Sequence, residues 1–404
     1  MTTRGRLFLG AGACVTVAGL VLGLPDLTKI GVLLLLLPAL AAMLARRDLD
    51  LEVSRTVAPL RVTADAHADV TVRVHNSSRL RTPLLRGEEG LAFALGDRPH
   101  LLIPKLDHDE SRRVTYRVRS HVRGRHRIGP LTIRVNDPFG LATRAVALPG
   151  ETVLVVLPRV LPLGPVRGVP ASGGGDTSTS PRVALQGEED VGVREYRVGD
   201  DLRRVHWRST ARTGQMMVRQ DEQPTRRRAL VLLDDRASAH AGTGDGGSFE
   251  WSVTAVASVV TLLLGEGFQV HLCRASDEAG GVVPVEGLDH ALDDLAGVQP
   301  SGTTSPRGLS EALDEFTQHG GGMVVGVLGA LDDEVAALFT ASNRRGIAMV
   351  IDRGGFTDRD SAPGPADATV QRLTSGGWHA EVVRPGADLA QIWARTTVGV
   401  GVLR

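Results

Sequence analysis

The chain has 404 residues, with 46 Lys and Arg balancing 46 Asp and Glu, so its formal net charge is zero. That balance excludes the global basic field that recruits nucleic acid, and the length provides for two or three domains with buried cores. Aromatics make up only 3% of the chain, and just two cysteines occur, Cys14 and Cys273, which rules out a disulfide framework.

Leu7 to Leu24 form an uncharged apolar run closed by Pro25 and Asp26, and Ile30 to Ala45 form a second one stopped by Arg46 and Arg47. At 1.5 Å per residue such runs reach about 24 to 27 Å, slightly short of a hydrocarbon core of ~30 Å. Arg4 and Arg6 precede the first run, whereas the connection carries only Asp26 and Lys29. Residues 1–47 are therefore predicted to be a transmembrane helical hairpin in the plasma (inner) membrane. Both of its ends, and the bulk of the chain, face the cytoplasm by the positive-inside bias. A cleaved signal peptide would share the basic start and first apolar run, but a second run so soon afterwards argues against release.

Over residues 48–163 the pattern changes to period two. Val70, Val72 and Val74 alternate with Thr71, Arg73 and His75; Val114, Tyr116 and Val118 alternate with Thr115, Arg117 and Arg119; Leu131, Ile133 and Val135 follow suit. Alternation of this kind puts one face on a core and the other in water. Short strands punctuated by Gly, Pro and Asn predict an all-β sandwich of immunoglobulin or fibronectin type. The histidines here lack metal-ligand spacing.

Residues 164–228 hold a linker and an arginine-rich block. Gly164 to Pro181 is rich in Gly, Pro, Ser and Thr, a connector composition. The block contains Arg194, Glu195, Tyr196, Gly199, Asp200, Arg203, Trp207, Ser209 and Arg212. Arginine forks bind carboxylates two bonds at a time and stack on aromatic rings. An internal ion-pair network and a surface for an anion or a partner are both consistent with this composition. Nucleic acid is not the expected partner, because acids interleave with the arginines and few aromatics are available for stacking. Trp207 and Arg194 are expected to be packing residues whose truncation disrupts the fold.

Residues 229–404 alternate strand and helix patterns, as a doubly wound α/β domain does. Strands are expected at Ala229–Leu233, Phe268–Cys273, Gly281–Glu286, Met323–Leu328, Ile347–Asp352 and His379–Arg384. Helices are expected at Phe249–Leu264, Leu309–Phe316, Asp332–Asn343 and before Arg395. Ligands in such folds sit at the carboxyl ends of strands, which places Asp234 well for chemistry. A phosphate-loop enzyme gets no support, since no GxxxxGK[ST] motif occurs. Nor does Ser209 sit in a G-x-S-x-G elbow.

The block REYRVGDDLRRVHWRSTARTGQMMVR, the DPFGL at 137–141 and the GWHAEVVRPG near the C-terminus together resemble the bacterial "domain of unknown function 58" proteins. The resemblance implies a von Willebrand A-like α/β domain and a MoxR-type AAA+ ATPase as partner. A transglutaminase-like membrane protein is a further implied neighbour. Von Willebrand A domains often hold Mg²⁺ through a D-x-S-x-S loop and a distant Thr. Here Asp234-Asp235-Arg236-Ala237-Ser238 carries an arginine where the middle serine belongs, and Thr303 or Thr304 would supply the threonine. Asp234, Ser238 and Thr303 are thus expected to form a degenerate metal site, with no cofactor other than a residual Mg²⁺. The functional expectation is a non-enzymatic membrane adaptor or scaffold, serving the ATPase in envelope assembly or stress handling. The alternative is a metal-dependent enzyme acting on a phosphorylated or anionic substrate.

Overall fold

A computed structural model describes residues 1–45, 50–137, 139–166, 192–196, 205–220, 227–277, 282–341, 345–357 and 364–398. The chain divides into two compact units: residues 1–160, 243–257 and 289–299, and residues 161–242, 258–288 and 300–404.

The first unit begins with α1 (Thr3–Val21) and α2 (Pro25–Ala45). Pro25 and Asp26 open α2 rather than separating the runs, since the missing N–H of a proline costs nothing in a first helical turn. The helices therefore have 19 and 21 residues, or about 28 and 31 Å, and the expected shortfall against the bilayer disappears. They lie in close contact through small residues. A Cβ added to Gly31 would come within 2.5 Å of the Thr16 nitrogen, and one on Gly12 would meet Gly31. Only 17% of each helix's apolar window is buried, leaving lipid as the natural solvent for the rest.

Next come β1 (Leu51–Ala58), β2 (Arg61–Thr63), β3 (His67–Asn76), β4 (Leu85–Leu91) and β5 (His100–Ile103). They are followed by β6 (Ser111–Arg119), β7 (Gly124–Asn136), β8 (Thr143–Leu148) and β9 (Thr152–Leu157). One sheet has the order β1-β3-β6; the other runs β2-β9-β7-β4-β5, with β8 also paired to β7. The two sheets enclose one apolar core. Val70, Val72 and Val74 of the first and Leu131 and Ile133 of the second are at most 1% exposed. The period-two reading of the sequence is thus the pattern of burial.

Inside this core lies an ion pair. Arg55 Nε donates to Glu89 Oε1 at 2.6 Å, and their side chains are 2% and 0% exposed. Burial pushes the Glu89 carboxyl up, and Arg55 opposes that shift. Arg123 is as deeply placed: its guanidinium meets Glu250, the Leu295 carbonyl (3.1 Å) and the Val298 carbonyl (2.6 Å), and it stacks over Phe249.

In the second unit β10 (Gly192–Glu195) pairs antiparallel with β11 (Met217–Gln220), and α3 (Trp207–Thr213) lies between them in sequence. The α/β part follows with β12 (Arg228–Leu233), α4 (Ser248–Gly265), β13 (Gln269–Arg274), α5 (Leu288–Gly297) and α6 (Arg307–Gln318), of which residues 248–257 and 289–297 fall in the first unit. It closes with β14 (Met323–Leu328), α7 (Asp333–Thr340), β15 (Ile347–Ile351), α8 (Arg353–Thr357), α9 (Pro365–Ser375), β16 (His379–Val383) and α10 (Leu389–Val398). Helix α4 is long and apolar enough to cross a membrane, yet 61% of its apolar window is buried, so it is a core helix.

The sheet order is β13-β12-β14-β15-β16, with every pair parallel. Leu230, Leu232, Val324, Leu328, Ala348 and Val350 share one core with α6, α7 and α9. Val231, Val325, Met349 and Ile351 are buried outside that cluster, and α10 packs on β15 and β16. Near the C-terminus Trp378 is buried against α7 and donates through Nε1 to the Phe339 carbonyl at 3.1 Å.

Several expectations change. The edge strand at 281–286 is reduced to one antiparallel bridge, Pro284 opposite His271, because a proline has no N–H with which to extend the ladder; Gly281 lies outside the described residues. Helices α5 and α9 were not anticipated. Both are short, and α9 opens on Pro365 with Asp367 accepting from the Gly364 nitrogen at 3.1 Å.

Arg55→Ala is expected to cost about 3 to 5 kcal/mol, because Glu89 would be left charged and unpaired in the core. Urea unfolding measures this, and the double variant Arg55→Met with Glu89→Leu should recover most of the loss.

Candidate functional site

Two places gather the sequence's candidate residues, both in the second unit. The first is the arginine-rich block. Its framework is closed by hydrogen bonds: the His206 nitrogen donates to the Met217 carbonyl (2.7 Å), Tyr196 to Met216 (2.8 Å), and Met217 to Thr210 Oγ1 (3.0 Å). His206 caps α3, its Nδ1 lying 2.8 Å from Ser209 Oγ and 3.2 Å from the Ser209 nitrogen. Val205 and Val218 bridge beneath and are buried. Among the described residues this small frame is held by backbone groups, Thr210 and His206.

Trp207 corrects the expectation of a packing residue, for it is 72% exposed. A seven-residue helix whose buried anchors are the two flanking valines has no room to bury an indole. Arg208, Arg212 and Met216 are exposed beside it in sequence. Glu195 is exposed and Tyr196 half-buried, so the structure brings Tyr196, Trp207, Ser209 and Arg212 into one small unit. Gly199, Asp200 and Arg203 lie outside the described residues, as does the side chain of Arg194.

The second place is the carboxyl end of β12. Asp234 is fully buried, and Arg236 grips it with both arms of its fork: Nε to Oδ1 at 2.8 Å and Nη2 to Oδ2 at 2.6 Å. The Gly329 nitrogen at the exit of β14 donates to Oδ2 at 2.8 Å. Glycine is required there, since a Cβ would lie 2.5 Å from that of Ala239. Burial by itself would lower the Arg236 pKa, but the hydrogen bond and charge of Asp234 outweigh it and hold the guanidinium above its ordinary range. Arg236 Nη1 also reaches the Thr304 carbonyl at 3.4 Å.

The neighbouring Asp235 faces another way. It accepts from the Ser276 nitrogen at 3.0 Å and from the Ser276 hydroxyl, and burial pushes its carboxyl up. The loop bearing Thr303 lies against this turn through Ser301, whose nitrogen donates to the Asp235 carbonyl (2.6 Å) and whose carbonyl accepts from Ala237 (2.8 Å). Thr303 Oγ1 is 3.0 Å from Ser301 Oγ. The structure thus brings Asp234 and the Thr303 loop together, but the oxygens a cation would use on Asp234 already hold an arginine. Among the described residues no group of three or more His, Cys, Asp and Glu side chains is arranged to hold a metal ion. Sequence reasoning missed Gly329 and His240, which carry no local pattern that marks them as partners of Asp234.

His240 Nε2 lies 2.6 Å from the Asp234 carbonyl and must donate to it, so Nε2 carries a proton. Burial holds its pKa below the ordinary 6.5. The unfolded chain takes up this proton first as pH falls, so the contribution of neutral His240 is full above pH 6.5 and lost below it. In His240→Gln the fall of thermal midpoint just below that pH should be shallower than in the parent chain. Arg236→Ala should cost about 3 to 5 kcal/mol, and Arg236→Lys should recover only part, because a lysine cannot make the two-armed contact. Denaturant titration of the three proteins checks both.

Residues 192–354 match the family described as Protein of unknown function DUF58. The uncharacterized protein YeaD of Bacillus subtilis is 26% identical over 187 residues, which are 45% of this chain and 45% of that relative. The match therefore spans less than half of YeaD. Among solved structures, the CARDB domain of the Pyrococcus furiosus PF1109 protein is 19% identical, with a TM-score of 0.21. It covers 27% of this chain and 93% of its own. The ApaA protein of Bordetella pertussis is 16% identical with the same TM-score, covering 27% and 94%. Likenesses this distant define neither fold nor function. The matched region takes in the exposed Trp207 helix, the Asp234 centre and the sheet strands from β12 to β15, and over these residues the chain is similar to the DUF58 family of unknown function.

Proposed function

We propose that this chain is a non-enzymatic, membrane-anchored adaptor, held by α1 and α2 in the plasma membrane with its bulk in the cytoplasm. Its partner is a MoxR-type AAA+ ATPase, docking on the Trp207 helix. The observation that carries this reading is the exposure of Trp207 on the short helix α3. A large aromatic flanked by Arg208, Arg212 and Met216 has the composition of an interface hot spot, where Trp and Arg dominate binding energy. The resemblance to the domain of unknown function 58 proteins supplies the ATPase as partner, and a transglutaminase-like membrane protein as a second neighbour. In the same reading, the two-sheet core is an immunoglobulin- or fibronectin-like sandwich. The parallel sheet is von Willebrand A-like, with the Pro284 bridge as its vestigial antiparallel edge.

The Asp234 centre is a structural tie in this reading. Arg236 supplies internally the positive charge that a metal ion would otherwise bring, so a metal-dependent reaction on a phosphorylated substrate loses its support. Calorimetric titration of the full chain with Mg²⁺ should show no saturable heat; saturable binding would restore the enzymatic alternative.

The decisive experiment is affinity purification of the full chain from its own membranes with ATP and with ADP, in parallel with Trp207→Ala. An AAA+ ATPase should be recovered in a nucleotide-dependent way and lost in the variant, which corresponds to roughly 2 kcal/mol or more of binding. Its stability should stay within about 0.5 kcal/mol of the parent, as for other surface changes. Undiminished recovery by Trp207→Ala, or recovery of no ATPase at all, would overturn the proposal.

A further inference from the structure

The family-motif turn at 137–142 has its own geometry, independent of the adaptor site. Asp137 is buried and accepts from the Phe139 nitrogen (2.6 Å) and from the Ala142 nitrogen, which curls the chain so that Phe139 points away from the core. The next residues are fastened to the membrane helices. Thr2, the N-cap of α1, donates its backbone nitrogen to the Leu141 carbonyl (2.9 Å) and its hydroxyl to the Gly140 carbonyl (2.7 Å). Gly5 sits so close that a Cβ would lie 2.2 Å from the Leu141 oxygen. At the far end of the hairpin, Ala41 and Ala45 of α2 bury themselves with Leu141 and Ala142.

The turn therefore lies where both helices enter the domain. The apolar run of α1 starts at Leu7, five residues beyond Thr2 and about 7 Å along the axis, so the turn is level with the lipid headgroups. At that level the domain shows apolar side chains to the outside: Phe139 is 54% exposed and Leu84 is 51% exposed. Strand register puts them at one end, because Arg86 pairs with Arg134 and extending the pairing brings Leu84 opposite Asn136. Arg4 and Arg6, exposed on the first turns of α1, add positive charge between this end and the apolar run.

The geometry points to a second membrane contact: the Asp137–Ala142 turn seats Phe139, with Leu84, in the interfacial layer of the bilayer that α1 and α2 cross. The partner is the lipid surface itself. An aromatic ring at headgroup depth buries apolar area without unpairing any backbone group, and nearby arginines meet the phosphates. The contact fixes the tilt of the β domain on the membrane, which two helices joined through one turn would otherwise leave free. It rests on the reading that α1 and α2 span the bilayer.

The test uses the full chain in phosphatidylcholine–phosphatidylglycerol vesicles containing headgroup spin-labelled lipid. Burial pushes the Cys273 thiol up to about 12, so a thiol-reactive fluorophore takes Cys14 in the parent chain. Cys14→Ser combined with Phe139→Cys, or with Phe93→Cys, moves the label to the turn or to the opposite end of β4, where Phe93 is 100% exposed. The label at 139 should lose at least about half its emission to the headgroup spin label and the label at 14 should be quenched by acyl-chain spin-labelled lipid, while the label at 93 is unaffected by either. A quenched Cys14 with an unquenched residue 139, or equal quenching at 139 and 93, would overturn this contact alone. An unquenched Cys14 under acyl-chain spin-labelled lipid would overturn the spanning reading, and the contact with it. Unchanged thermal midpoints in the variants confirm that the labelled proteins keep the fold.

Discussion

A charged group removed from water must be given opposite charge or hydrogen-bond partners, and that constraint organises this protein at each of its junctions. Asp234 at the end of β12 receives both arms of Arg236 and the Gly329 nitrogen. One carboxylate thus ties the exit of β12 to the exit of β14, and through Arg236 to the Thr304 carbonyl. The carboxyl edge of a parallel sheet gathers loops that would otherwise move independently, and here they are held by a cation built into the chain. The carboxylate at the position where other α/β folds place ligands is here engaged by an internal ion pair.

In the first unit the constraint acts again, beyond the Arg55–Glu89 pair. Arg123 answers Glu250 and two carbonyls, and Asp137 takes the backbone nitrogens of its own turn. The Asp137 turn is what lets Leu141 and Ala142 face the membrane helices, so a polar cap positions an apolar joint. With the joint made by Thr2, Gly5, Ala41 and Ala45, both ends of the hairpin meet the domain at one place.

The arginine-rich block follows a different logic. Among the described residues its frame is held by main-chain bonds, Thr210 and the His206 cap, while Trp207 and Arg212 stay exposed. Residues that a structure does not need for its own stability are the ones available to a partner. The composition of this block was legible in the sequence; its division of labour was not, because seven helical residues carry too little periodicity to tell an inward indole from an outward one.

Hydropathy by itself determined the two apolar helices, since a run of such residues without charge has no place in water. Alternation determined the strands from Val70 to Val135, and short buried runs determined β12, β14 and β15, because side-chain period and strand length are local properties. Pairing of Asp234 with Arg236 could be read from their spacing of two residues. Only the tertiary structure decided that Pro25 begins a helix and that Pro284 ends an edge, for each depends on what packs alongside. It alone brought Gly329 and His240 to Asp234 and Thr2 to Leu141, contacts between residues far apart in sequence that no local pattern encodes.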